Sequence, residues 1–132
     1  MDPGSLLRQR EPFRFVDRLV CAAPGRAVAE LLVSAGGLAP MLVLEALAQT
    51  CALVPPVGGG AAGAGAGADR GQGLLAGFRD VRLGRPARPG ERLRLCAERT
   101  GSFGRAAAFR GVASVGEEEL AAGVILISAG AA

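Results

Sequence analysis

Histidine, lysine, tyrosine and tryptophan are all missing from this 132-residue sequence. Without histidine the commonest general base and the commonest metal ligand are gone, so any catalysis must rest on Glu, Asp, Arg, Cys, Ser or backbone groups. All 15 basic residues are Arg, which excludes Schiff-base chemistry on lysine and a P-loop lysine. Aromatics fall to five Phe. The arginines, spread from Arg8 to Arg110, therefore lack the interleaved aromatic surface that nucleic-acid binding favours. The net charge of +3 implies only a mild preference for acidic partners, and no nucleic-acid partner is expected. Cys21, Cys51 and Cys96 have no CxxC spacing and an odd count. They read as free thiols in a reducing compartment, with no metal site. No motif calls for a cofactor. Asp2-Pro3-Gly4 is followed by only two apolar residues and no apolar run reaches a membrane span, so the expected address is cytoplasmic, away from the membrane.

What is present centres on Pro40 to Val54, P-M-L-V-L-E-A-L-A-Q-T-C-A-L-V. Apolar residues occupy every face of this stretch, which predicts a buried helix with no wet surface. Pro40 suits the first helical position, and Pro55-Pro56 cannot continue the helix. Glu45 and Gln49, four residues apart, share one face, with Met41 and Leu42 a turn earlier. A buried carboxylate is costly unless it is paired or protonated. Glu45 is thus either a structural group satisfied by Gln49 and nearby backbone, or an acid or base tuned by desolvation. Composition alone favours the first.

The remainder reads as sheet. Ser5-Leu6-Leu7 suggests a short turn, Pro12 to Val20 an extended lead-in, and Arg26 to Val33 a strand after the Pro24-Gly25 turn. A Gly/Ala-rich stretch at about 57–72 reads as a flexible loop. Its alternating glycines follow a helix and precede strands, the reverse of a nucleotide-binding context. Strands are expected at Leu74 to Leu83, Arg92 to Arg99, Gly104 to Val115 and Glu119 to Ser128, with turns at Gly101-Ser102 and Gly116-Glu117-Glu118. Arginine and leucine alternate strictly from Arg92, the mark of a strand with one dry and one wet face. Leu120 to Ile127 carries no charge on either face and is expected at the centre of the sheet. One helix on a long antiparallel sheet, with a meander after it, is an α+β layout. One such unit, spanning 1–132 as a single domain, cannot cover both faces of its sheet, which favours a homodimer joined edge to edge.

Four stretches resemble the β-hydroxyacyl-[acyl-carrier-protein] dehydratases of fatty-acid synthesis. Pro12 to Arg18 resembles P-F-x-x-V-D-R, and Leu44 to Gln49 resembles the helix motif E-A-x-A-Q. Ala76-Gly77-Phe78 through Arg85-Pro86-Ala87-Arg88-Pro89-Gly90-Glu91 resembles A-G-I-D-x-x-R-F-x-R-P-V-x-P-G-D, and Phe109 to Val115 resembles F-K-G-x-A-x-V. They occur in family order over nearly the whole chain. The resemblance implies a hotdog fold, a long antiparallel sheet wrapped around one central buried helix. It also implies a site at a dimer interface, where a His removes the proton α to a thioester and the helix Glu protonates the departing hydroxyl.

By this match Glu45 is the catalytic acid, with Met41, Leu42, Gln49, Gly77 and Phe78 against the substrate. Arg85, Arg88 and Arg92 would meet the anionic acyl carrier protein or the phosphate of a CoA thioester. The departures concern the chemistry. Only S-A-G-G-L-A stands where the family carries its His-bearing loop, and Met41 replaces the glycine that lets backbone approach the thioester. A positioned acid or base is worth about 10²- to 10⁴-fold in rate, so dehydration is expected to be impaired or absent. The expected function is acyl-thioester binding. The alternatives are a thioesterase using Glu45, or a dehydratase completed by a His-bearing partner, with an active paralogue among the possible mates.

Overall fold

The computed structural model describes residues 16–56, 74–103 and 105–128. The expected turn at Ser5-Leu6-Leu7, most of the lead-in from Pro12 and the loop at about 57–72 lie outside them. The described residues form six strands and one helix: β1 (Arg18–Ala23), β2 (Arg26–Leu32), α1 (Pro40–Cys51), β3 (Leu74–Leu83), β4 (Arg92–Phe103), β5 (Ala106–Val115) and β6 (Glu118–Ser128). The strands form one sheet in the order β1-β2-β4-β5-β6-β3, every pairing antiparallel.

In the sheet, three expectations need correction. Strands β4, β5 and β6 do form a meander, but β3 lies at the far edge, beyond β6. Residues 84–91 therefore carry the chain across the end of the sheet. Strand β6 is internal, between β5 and β3, but one place from the edge. The hairpin between β4 and β5 also runs further than Arg99, because Gly101 pairs with Ala108 and Phe103 with Ala106 after a bulge. The Thr100 hydroxyl, donating to the Ala108 carbonyl at 3.3 Å, reinforces this extension. A Gly-Ser pair inside an otherwise β-favouring run can sit at a bulge as readily as at a turn.

Helix α1 ends at Cys51 rather than Val54. Leu53 N–H reaches back three residues to the Thr50 carbonyl and Val54 N–H to that of Cys51, a tightening that follows from Pro55, which disfavours the helical conformation before it. The helix packs mainly across β4, β5 and β6. From Val43 to Cys51 every residue but Glu45 is buried. The first turn is different: Met41 is 60% and Leu42 42% exposed in the single chain, so the expectation of no wet face fails there. Helix and sheet fit because Gly111 leaves room. A Cβ on Gly111 would stand 2.8 Å from Ile125 Cδ1 and 3.4 Å from Leu47 Cδ1. Leu44, Leu47, Leu93, Leu95 and Ile125 are all at most 1% exposed, and the strict alternation of β4 puts Leu93, Leu95 and Ala97 on this dry face.

Truncating Leu47 to Ala should cost about 2–5 kcal/mol, as expected for deleting a fully buried leucine. Gly111→Ala overpacks the same contact and should cost about 1–3 kcal/mol alone. In the Leu47→Ala background, where Ile125 has space to move, the Gly111→Ala penalty should shrink. Urea unfolding of both single variants and the double variant measures the coupling.

Candidate functional site

The sequence-derived site residues fall into two groups. Met41, Leu42, Glu45 and Gln49 lie along one face of α1, from its exposed first turn to a buried third turn. Glu45 is half-buried and Gln49 only 3% exposed, so the carboxylate is not sealed in the core. Both polar side chains are engaged by surrounding groups. The buried Thr50 hydroxyl is satisfied within the helix, donating to the Ala46 carbonyl at 2.9 Å. No side chain caps the start of α1, where Ala39 is the N-cap residue and Pro40 follows. The helix opening thus presents its first turn and an apolar lip, Met41 and Leu42. Such an end favours negative charge developing nearby.

Gly77 and Phe78 lie on β3, an edge strand of the sheet, at a bulge between Leu75 and Gly77. Phe78 pairs with Ile125 and packs against the core under the helix. A Cβ on Gly77 would meet nothing within 4 Å. Close packing in the single chain therefore does not explain this glycine. The same strand exposes Leu75, Val81 and Leu83, an apolar edge of a kind that proteins ordinarily cover.

The three arginines are not equivalent. Arg85 pairs with Glu91 at 2.8 Å and with Glu118 at 3.1 Å. Arg92 lies 3.5 Å from Glu30, which also holds Arg18 at 2.8 Å. Arg88 is exposed in the crossover loop, and its backbone N–H donates to Glu91 Oε1 at 2.7 Å. The Arg85 guanidinium, and after it the Arg88 N–H, hold the Glu91 carboxyl down at about 2. Glu91 and Glu118 were not singled out from sequence. Glu91 could have been, since it closes the R-P-A-R-P-G-E run that Arg85 opens. Glu118, on another strand, left no local signal.

The three thiols differ as well. Cys21 is exposed, Cys96 half-buried and Cys51 buried, and burial pushes the Cys51 thiol far up, which makes it unreactive as a nucleophile. Among the described residues no helix is long and apolar enough to cross a membrane.

Two predictions follow from these environments. In native protein a disulfide reagent should modify Cys21 first and leave Cys51 untouched until denaturant is added, as read by mass spectrometry of the labelled peptides. For Glu91 the depressed folded value, against an ordinary 4.5, means that its contribution to stability is complete above about pH 4.5 and is lost as pH falls towards 2. Wild type should therefore exceed Glu91→Gln in urea midpoint at pH 7, and the gap should narrow as pH falls below about 4.5 and nearly close only near pH 2.

No protein family matches the sequence, and no curated protein matches it. Solved structures do match in shape. The dehydratase heterocomplex ApeI:P from Xenorhabdus doucetiae superposes with a TM-score of 0.76 at 17% identity, over 97% of this chain and 90% of that one. Zebrafish thioesterase superfamily member 2 gives 0.63 at 16% identity, over 85% and 79%. The Escherichia coli PaaI protein from the phenylacetic acid degradation operon gives 0.60 at 12%, over 84% and 81%. The antiparallel sheet of six strands crossed by one helix that the described residues form matches the hotdog fold of these neighbours.

Proposed function

We propose that this protein is a dehydratase-like hotdog protein that binds acyl thioesters, carried by acyl carrier protein or CoA, and that its own 3-hydroxyacyl dehydration is impaired or absent. The observation that carries the reading is the half-buried Glu45 one turn behind the uncapped, apolar opening of α1, in a chain without a single histidine. The carboxylate stands where an acid could reach a thioester docked at the helix start. The histidine that serves as base in the dehydratases the sequence resembles has no counterpart in this chain.

The exposed β3 edge supports a second chain there, and two copies joined at Leu75, Val81 and Leu83 are the simplest assembly. Arg88 and Arg92 are the proposed contacts for an anionic carrier, with Met41, Leu42, Gln49, Gly77 and Phe78 along the acyl group. Fatty-acid or polyketide-type metabolism in the cytoplasm is the setting this substrate class suggests. A second reading has specific support in the ApeI:P neighbour, a dehydratase heterocomplex: a different, His-bearing chain on the β3 edge would restore the missing base. The thioesterase neighbour supports a third, in which Glu45 activates water.

Incubation of wild type and Glu45→Ala with 3-hydroxyacyl, enoyl and saturated acyl thioesters separates these readings. Thermal stabilisation by the thioesters without turnover is the expected result. Hydration or dehydration by the isolated chain, falling about 10²- to 10⁴-fold in Glu45→Ala, would overturn the impaired reading. Thiol release would select the thioesterase. Neither stabilisation nor turnover with any thioester would reject acyl-thioester binding altogether.

A further inference from the structure

Arg85 sits in the crossover segment between β3 and β4, and every one of the five N–H donors of its guanidinium has an acceptor. Nε and Nη2 donate to the two Glu118 carboxylate oxygens, each at 3.1 Å. Nη1 and Nη2 donate to the two Glu91 oxygens at 2.9 and 2.8 Å, and Nη1 also to the Pro86 carbonyl at 2.9 Å. Glu91 then accepts the Arg88 backbone N–H. Paired forks of this kind are among the strongest and most directional contacts a side chain makes. They leave Arg85 no donor for an incoming phosphate, and two carboxylates neutralise its charge.

The segment held this way is stitched to the lead-in of α1. Leu38 and Ala87 exchange backbone hydrogen bonds at 3.0 and 2.9 Å. Gly90 N–H donates to the Val33 carbonyl and Val33 N–H to the Glu91 carbonyl, both at 2.9 Å. At Gly37, where φ is +72°, an added Cβ would stand 3.0 Å from the Ala87 carbonyl oxygen, so the two segments are in close contact. The helix begins two residues after Leu38, without a side-chain cap of its own. Its first turn takes its placement from the crossover segment.

The geometry points to Arg85 as a positioning residue of the candidate site: it fixes the crossover segment, which through Ala87 and Gly90 fixes where Met41 and Glu45 stand relative to the sheet. This rests on the acyl-thioester reading above and gives Arg85 a different role from a carrier contact. A lysine cannot replace it, because one ammonium cannot fork to two carboxylates and a carbonyl at once.

The test compares Arg85→Met, Arg85→Lys and Glu118→Gln, the last removing one fork only in case the first two fold poorly. Amide hydrogen exchange reads the clamp without any ligand. Exchange at Leu38 and Gly90 should rise about tenfold or more in both Arg85 variants, less in Glu118→Gln, while Leu95 in the core of β4 keeps its protection. Binding is read with two decanoyl thioesters, one of CoA and one of N-acetylcysteamine, which carries no phosphate. Affinity should fall by the same factor, about tenfold, for both. Unchanged exchange at Leu38 and Gly90 overturns the clamp. A loss confined to the CoA thioester overturns positioning in favour of a direct phosphate contact. If wild type binds neither thioester, the functional reading fails, and the exchange data still judge the clamp.

Discussion

The fit of one apolar helix against one sheet is the constraint on which this structure depends. Leu44 and Leu47 are buried against the sheet, and a side chain at Gly111 would have to displace the ends of Ile125 and Leu47, which fill that space. Burial of this kind is the main favourable term in folding, and here it is concentrated on one face of the sheet. Opposite Gly111 in the register is Gly123, where a Cβ would stand 3.3 Å from the Arg79 carbonyl. Adjacent strands thus both give up side chains where neighbours come close, the helix at one and β3 at the other.

Much of this was legible in the sequence because it is local. An unbroken apolar run bounded by prolines marks a buried helix, and alternating Arg and Leu mark β4; both patterns report periodicity, which a single segment contains. The stretches that resemble the dehydratases turn out to include residues with structural work to do. Asp17 accepts the Leu32 N–H at 2.7 Å and Arg18 pairs with Glu30 at 2.8 Å, which ties the lead-in to β2. Resemblance at such positions speaks for architecture before it speaks for chemistry.

What could not be read was non-local. The position of β3 beyond β6 depends on pairing between distant segments, and no feature of Leu74–Leu83 announces its neighbour. The exposed first turn of α1 had the same cause: the pattern of M-L-V-L says that these residues are apolar, while the extent of the sheet beneath decides whether they are covered. Arg85 looked like a surface cation in a basic loop. Only the fold brings Glu118 to it. That Glu45 is the one carboxylate of the helix is a fact of the sequence, but its half-buried setting is a property of where the helix meets the sheet.

The placement of β3 also bears on how the chain comes together. Leu74 pairs with Ser128 and Leu83 with Ala121, so among the described residues β3 finds its sheet neighbour in β6, which is made well after it. Until β6 is made and the β4-β5-β6 hairpins have formed, an apolar strand bearing Leu75, Val81 and Leu83 has no edge to join. Long-range pairing of this sort slows folding and leaves sticky segments open to other chains meanwhile. Synthesis order thus leaves the strand with an exposed apolar edge waiting longest for a place in its own sheet.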